Sequence, residues 1–122
     1  HLFFEQEEVN MEENLKISYV DETLTAALSG EIDHHRAVSV RAGIDEAMYR
    51  ELPKTLVIDI GGVDFMDSSG LGLILGRYTK AKEIGTMLVI RNPSARAEKM
   101  LKMAGIDRMI KIENQSDRGK GV

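Results

Sequence analysis

Two serines stand beside an aspartate at Asp67-Ser68-Ser69-Gly70, between a strand-like stretch and a helix-like stretch. This setting predicts that the block lies at the N-terminus of a helix. Backbone N–H groups there have no partner within the helix, and the helix dipole favours negative charge. A serine in such a place can cap the helix, carry a phosphate or act as a nucleophile. Residue types alone favour capping by Asp67 or a serine and leave the other two roles open.

The sequence offers little that would activate Ser68 as a nucleophile. A nucleophilic serine needs a base that a third group orients. The G-x-S-x-G pattern of hydrolases fails, because Met66 stands where its first glycine belongs. The histidines are His1, His34 and His35, and nothing in the pattern links them to Ser68. A serine enzyme is therefore the weakest of the alternatives.

The glycines at positions 70, 72 and 76 invite a dinucleotide-binding interpretation. That fingerprint is incomplete, since Leu75 occupies its third glycine position. We interpret these glycines instead as sites where a helix approaches a strand or a partner backbone closely.

Asp33-His34-His35 does not predict a metal site. Adjacent histidines on a helix point apart, and no further ligands follow at usable spacing. Asp33 alone is interpreted as a helix N-cap. We expect neither a metal nor a cofactor.

Composition narrows the class of protein. The chain has 122 residues, of which 43% are hydrophobic and 30% charged, with a net charge of −4 and no cysteine. One globular domain without disulfides is expected. Direct nucleic-acid binding is disfavoured by the acidic charge and scattered cations. No apolar run approaches a membrane span, so we expect a cytoplasmic protein that does not bind membranes.

The apolar pattern predicts the order β-β-α-β-α-β-α, followed by a weak last strand. Alternation at Leu15–Tyr19 and Leu24–Leu28 indicates a hairpin whose second strand ends at Gly30. The run at 56–60 indicates a central strand that Gly61-Gly62 ends. The predicted core stripes of the three helices are: Ala37, Val40, Ile44, Ala47 and Met48; Leu71, Ile74, Leu75, Tyr78 and Ala81; Ala97, Met100, Leu101 and Ala104. Strands alternating with helices predict an α/β domain with a mixed four- to five-stranded sheet and helices packed on it.

The ends of the chain are set apart from this domain. Residues 1–10 read as a remnant of an expression vector and are left out of the fold prediction. Residues 11–114 form the predicted domain. Residues 115–122 are polar and are expected to form a flexible tail.

Three sequence blocks carry a resemblance to a known family. The chain from about Leu15 to Ile112 resembles bacterial anti-sigma factor antagonists of the STAS-domain family, at GEIDHH, at FMDSSGLGLILGRYTKAKEIG and at MLKMAGIDRMIKI. The D-S-S-G-L-G block is specific to the family. The GEIDHH and ILGRY blocks resemble its sporulation branch in particular.

The resemblance implies a STAS-like fold and a partner-switching function in transcription regulation. In this family the unphosphorylated antagonist binds an anti-sigma factor, itself a serine kinase of the histidine-kinase ATPase fold, and so frees a sigma factor. The kinase inactivates the antagonist by phosphorylating one serine, and a metal-dependent serine phosphatase restores it. The serine that follows the aspartate of the block corresponds to Ser68 here.

The same resemblance implies a site without catalytic residues. Asp33 corresponds to an aspartate in the family's partner-facing loop, and the partner-binding residues are expected to be Asp33, Asp67, Ser68, Ser69 and Gly70. The alternative is a scaffold or nucleotide-sensing STAS domain outside any sigma-factor circuit.

Overall fold

The computed structural model describes residues 9–115, which form one mixed six-stranded sheet, three α-helices and a short 3₁₀ turn. The strands are β1 (Val9–Glu12), β2 (Leu15–Val20), β3 (Thr23–Ile32), β4 (Thr55–Met66), β5 (Met87–Arg91) and β6 (Lys111–Glu113). The helices are α1 (His34–Glu51), α2 (Ser68–Glu83) and α3 (Ala95–Met103), and the 3₁₀ turn is Ile106–Arg108.

The strands lie in the sheet in their order along the chain. Strands β1, β2 and β3 pair antiparallel, whereas β3, β4, β5 and β6 pair parallel. Each parallel step needs a crossover, and α1, α2 and α3 supply the three crossovers in turn. The predicted α/β class and mixed sheet are confirmed, and β1 precedes the five predicted strands.

One hydrophobic core joins the three helices to one face of the sheet. Alternate strand residues such as Ile17, Ala26, Ile58 and Ile90 stand in register and are buried in this core. The stripe predicted for α1 is buried throughout. In α3, Ala97 and Leu101 are buried as predicted, Met100 is half-buried and Ala104 is exposed.

The stripe predicted for α2 is wrong by part of a turn. Ile74 and Ala81 are buried, but Leu75 is exposed and Leu71 and Tyr78 are only half-buried. The helix instead buries three residues that the pattern did not select: Gly70, Leu73 and Arg77. Arg77 was not predicted to be buried, because charged side chains are almost never fully buried unless they are paired.

The predicted strand ends at glycines are also wrong. β3 continues past Gly30 to Ile32, and β4 continues through Gly61 and Gly62 to Met66. The pairing register shifts between Ala27 and Ser29 and again after Gly30. The glycines therefore lie at bulges in the parallel β3–β4 pair. Both strands continue past these bulges to the edge of the sheet, where α1 and α2 begin.

The ends of the domain fall partly outside the described residues. Of the predicted vector remnant, residues 1–8 lie outside them, while Val9 and Asn10 pair with β2 and so belong to the sheet. Of the predicted tail, residues 116–122 lie outside them, and the N–H of Gln115 donates to Asn92 Oδ1 at 2.9 Å. The assignment of these ends stays a prediction.

Candidate functional site

Asp33 and Asp67 are brought side by side by the sheet. Asp33 follows the last residue of β3, and Asp67 follows the last residue of β4. These strands are parallel neighbours, and their final residues, Ile32 and Met66, face each other in register. The N–H of Asp67 donates to the carbonyl of Ile32 at 3.4 Å, which ties the two helix starts together.

Asp67, rather than a serine, caps α2. Its Oδ1 accepts a hydrogen bond from the N–H of Ser69 at 2.8 Å, and its backbone is extended, as an N-cap requires. Ser68 is the first residue of the helix and is exposed. Its hydroxyl makes no hydrogen bond within residues 9–115. The Ser68 hydroxyl is therefore open to a second molecule and is not activated by a base in the described part of the chain.

Ser69 and Gly70 lie deeper in the first turn of α2. Ser69 is half-buried, and Gly70 is buried against the Met66 side chain. A Cβ atom at Gly70 would run into Met66 Cγ and Sδ. A close approach within the fold is therefore confirmed at Gly70. At Gly72 and Gly76 a Cβ would have no neighbour within 4 Å among residues 9–115, so a close approach to a partner backbone at these two positions stays a prediction.

We expect Gly70→Ala to destabilise the protein by about 1–3 kcal/mol, because the added methyl must displace a buried methionine from a packed core. Urea denaturation of the variant and the wild type measures this loss. The matched control is Gly72→Ala, which places the same methyl on the same helix in open space and gains helix propensity. Equal or greater stability of Gly70→Ala would contradict the packing role.

Asp33 caps α1 in the same way. Its Oδ1 accepts from the N–H of Arg36 at 2.9 Å, and its Oδ2 lies 3.1 Å from Arg36 Nη1. The backbone hydrogen bond from Arg36 lowers the pKa of Asp33 below its ordinary value. Burial opposes this effect in part, and the charge of Arg36 adds a smaller lowering. His34 and His35, the first two residues of α1, are both exposed.

Because the pKa of Asp33 is lowered on folding, its cap is fully effective at pH values above the ordinary 3.8 and is lost as the pH falls through the folded-state pKa. We expect Asp33→Ala to lower the melting temperature at pH 7, and the difference from wild type to shrink below pH 3.8. Thermal denaturation of both proteins from pH 7 to pH 3 tests this. Asp33→Asn, whose amide caps about as well, is the control that keeps the cap. A pH-independent difference would count against the carboxylate as its source.

A groove between α1 and α2 was not predicted. It adjoins the site through His34 and Ser69, encloses about 310 Å³ and also contains Arg41 and Arg77. Its floor is open because Gly72 and Gly76 carry no side chains. The small residues could have pointed to this groove, but the cations on its walls come from different helices.

An exposed aromatic residue next to the capping block was also missed. Phe65 is 42% exposed at the end of β4, and the guanidinium of Arg96 lies 6.0 Å from its ring centroid. Exposed apolar residues are ordinary when single, so the sequence carries no signal that would single this one out.

Residues 9–115 contain no group of three or more histidine, aspartate or glutamate side chains placed to hold a metal ion. None of their helices combines the length and the apolar character needed to cross a bilayer.

Comparison with known proteins identifies the family. A sequence model of the STAS domain matches residues 12–118. The anti-sigma F factor antagonist of Lysinibacillus sphaericus is 35% identical over 104 residues, which cover 83% of this chain and 89% of the relative.

Two solved structures of SpoIIAA, each 28% identical, share the fold. The unphosphorylated anti-sigma factor antagonist has a TM-score of 0.68, with coverage of 88% of this chain and 99% of its own. The phosphorylated Bacillus cell fate determinant has a TM-score of 0.67, with coverage of 87% and 96%. The chain belongs to the STAS-domain family and, as its motifs predicted, is similar to anti-sigma factor antagonists of that family.

Proposed function

We propose that the protein is an anti-sigma factor antagonist that is switched off by phosphorylation of Ser68. Its unphosphorylated form binds an anti-sigma factor with serine kinase activity and so frees a sigma factor. A serine phosphatase reverses the modification. The observation that carries the proposal is the exposed Ser68 hydroxyl, without a hydrogen-bond partner in residues 9–115, at the first position of α2.

The position of Ser68 suits a reversible phosphate. The modification adds about 1.5 to 2 negative charges at pH 7. At the start of a helix these charges meet free N–H groups and the positive end of the dipole. The cap is not disturbed, since Asp67 provides it. The phosphate can therefore change the surface without unfolding the domain.

The proposed partner surface consists of Asp33, Asp67, Ser68, Ser69 and Gly70. The paired ends of β3 and β4 place both helix starts at one edge of the sheet, where one partner can cover them together. Gly70 contributes indirectly, because its lack of a side chain lets Met66 pack beneath the turn. The chain acts by binding, and ATP and metal are supplied by the kinase and the phosphatase.

Phosphopeptide mapping tests the proposal. The chain is incubated with ATP, Mg²⁺ and the anti-sigma F factor of Lysinibacillus sphaericus, the organism of the relative described above. We expect one phosphate, on Ser68, and none on a Ser68→Ala chain. Ser39→Ala is the matched control, because it removes an exposed hydroxyl from α1 outside the proposed surface, and it should be labelled as wild type is. Label on Ser69 or Ser94, or label that persists in Ser68→Ala, would refute the assignment.

Asp33→Asn tests whether the charge of Asp33 contributes to the proposed partner surface. The amide keeps the cap of α1 but removes the charge, so stability should stay near that of wild type. We expect weaker binding to the same anti-sigma factor in titration calorimetry. Unchanged affinity would remove the Asp33 charge from the proposed surface and leave Asp33 as a cap only.

A further inference from the structure

The groove between α1 and α2 has an excess of positive charge. Arg41 and Arg77 both line it, together with His34 and the hydroxyl-bearing Ser69. The acid paired with this cluster is Asp45, whose Oδ1 lies 2.8 Å from Arg77 Nε. The Arg41 side chain makes no ion pair or hydrogen bond within residues 9–115. One cation in the groove is therefore left without a counter-charge in the described part of the chain.

Arg77 also has an unused donor. The residue is only 3% exposed, yet its Nη1 is buried without a hydrogen-bond partner among the described residues. Its contact with Asp45 is close but too poorly aligned to count as a hydrogen bond for either group. Buried polar groups are nearly always hydrogen-bonded, and an exception calls for an explanation.

The two guanidinium groups also act on each other. Burial lowers the pKa of Arg77, and the nearby charge of Arg41 lowers it further, whereas Asp45 opposes both effects. The positive charges of Arg41 and Arg77 therefore repel each other, and an anion bound beside them would stabilise both. Guanidinium groups match phosphate and carboxylate oxygens in shape as well as in charge.

We propose that the α1–α2 groove binds a small molecule through a phosphate or carboxylate group held by Arg41 and Arg77. Ser69 adds a hydroxyl donor at one end of the groove. The open positions of Gly72 and Gly76 give the rest of the ligand its room. This site does not include Ser68 and does not depend on the proposed function.

An NMR titration of the intact chain with inorganic phosphate, and separately with malonate, tests the proposal. We expect saturable shifts of the amides of Ser69, Gly72 and Gly76 by one or both anions, with a dissociation constant of roughly millimolar size for so small a probe. The anion that binds more tightly identifies the ligand chemistry. No saturable shift with either anion, or shifts centred elsewhere, would overturn the proposal.

Two variants locate the binding. Arg41→Gln should weaken it at least tenfold, and Gly76→Leu should abolish it by filling the groove at a position with open space. Arg50→Gln is the matched control, because it removes the same charge from an exposed position on the same helix. If Arg50→Gln weakens binding as much as Arg41→Gln does, the anion responds to general charge and the site does not exist.

Discussion

Ser68→Asp is expected to lower the affinity for the anti-sigma factor by about tenfold or more, and phosphorylation of the wild type to lower it further. A tenfold loss corresponds to about 1.4 kcal/mol. Two unit charges about 5 Å apart repel by roughly 3 kcal/mol at an effective dielectric constant near 20, so one added charge in a closed interface is sufficient. The phosphate carries up to twice that charge and more bulk.

Ser68→Ala should bind as the unphosphorylated wild type does. Its free energy of unfolding should change by no more than about 0.5 kcal/mol, because an exposed hydroxyl away from any cap contributes little. Had Ser68 capped the helix, the loss would be about 0.5–2 kcal/mol. Because Asp67 caps α2, a change at Ser68 is expected to affect the proposed switch without affecting the stability of the fold.

Titration calorimetry with the purified anti-sigma factor measures these affinities. Thr79→Asp is the control, since it adds the same charge to an exposed position on α2, about 16 Å farther along the helix. We expect its affinity to match that of wild type. Equal binding by Ser68→Asp and wild type would contradict an electrostatic switch, and equal losses in both Asp variants would assign the effect to net charge.

The placement of the site could be predicted because it depends on local rules. Asp33 and Asp67 each stand between a strand pattern and a helix pattern, where short acidic side chains act as caps. Parallel strands then carry both helix starts to one edge of the sheet. The resemblance of the D-S-S-G-L-G block to a family added the choice of Ser68 over Ser69. Its phosphorylation stays a prediction.

What could not be predicted depends on contacts between distant residues. The sequence pattern predicts that strands end at Gly30, Gly61 and Gly62, because the sequence does not show the neighbouring strand. In the structure that strand pairs with the residues on both sides of these glycines. The burial of Arg77 depends on Asp45, which lies on another helix. When Asp45 is not taken into account, the sequence pattern of α2 predicts that Arg77 faces solvent. The predicted buried face of α2 is then rotated relative to the face that the structure buries.

The largest change in stability is expected when the Asp45–Arg77 ion pair is broken. Asp45→Ala should lower the free energy of unfolding by about 3 kcal/mol, because it leaves Arg77, which is 3% exposed, without its counter-charge. The double variant Asp45→Leu/Arg77→Met should recover most of that loss, since two apolar side chains remove both charges and refill the space. Urea denaturation of the wild type and the two variants gives the three values.

The control is Glu98→Ala, which breaks the Glu98–Lys102 pair at 3.5 Å on the surface of α3. An exposed pair of this spacing contributes about 0.3–0.5 kcal/mol. If Asp45→Ala costs no more than Glu98→Ala, water reaches Arg77 in solution, and Arg77 is not the buried cation that depends on Asp45. If the double variant is as unstable as the single one, the loss comes from packing around Asp45 and not from the stranded charge.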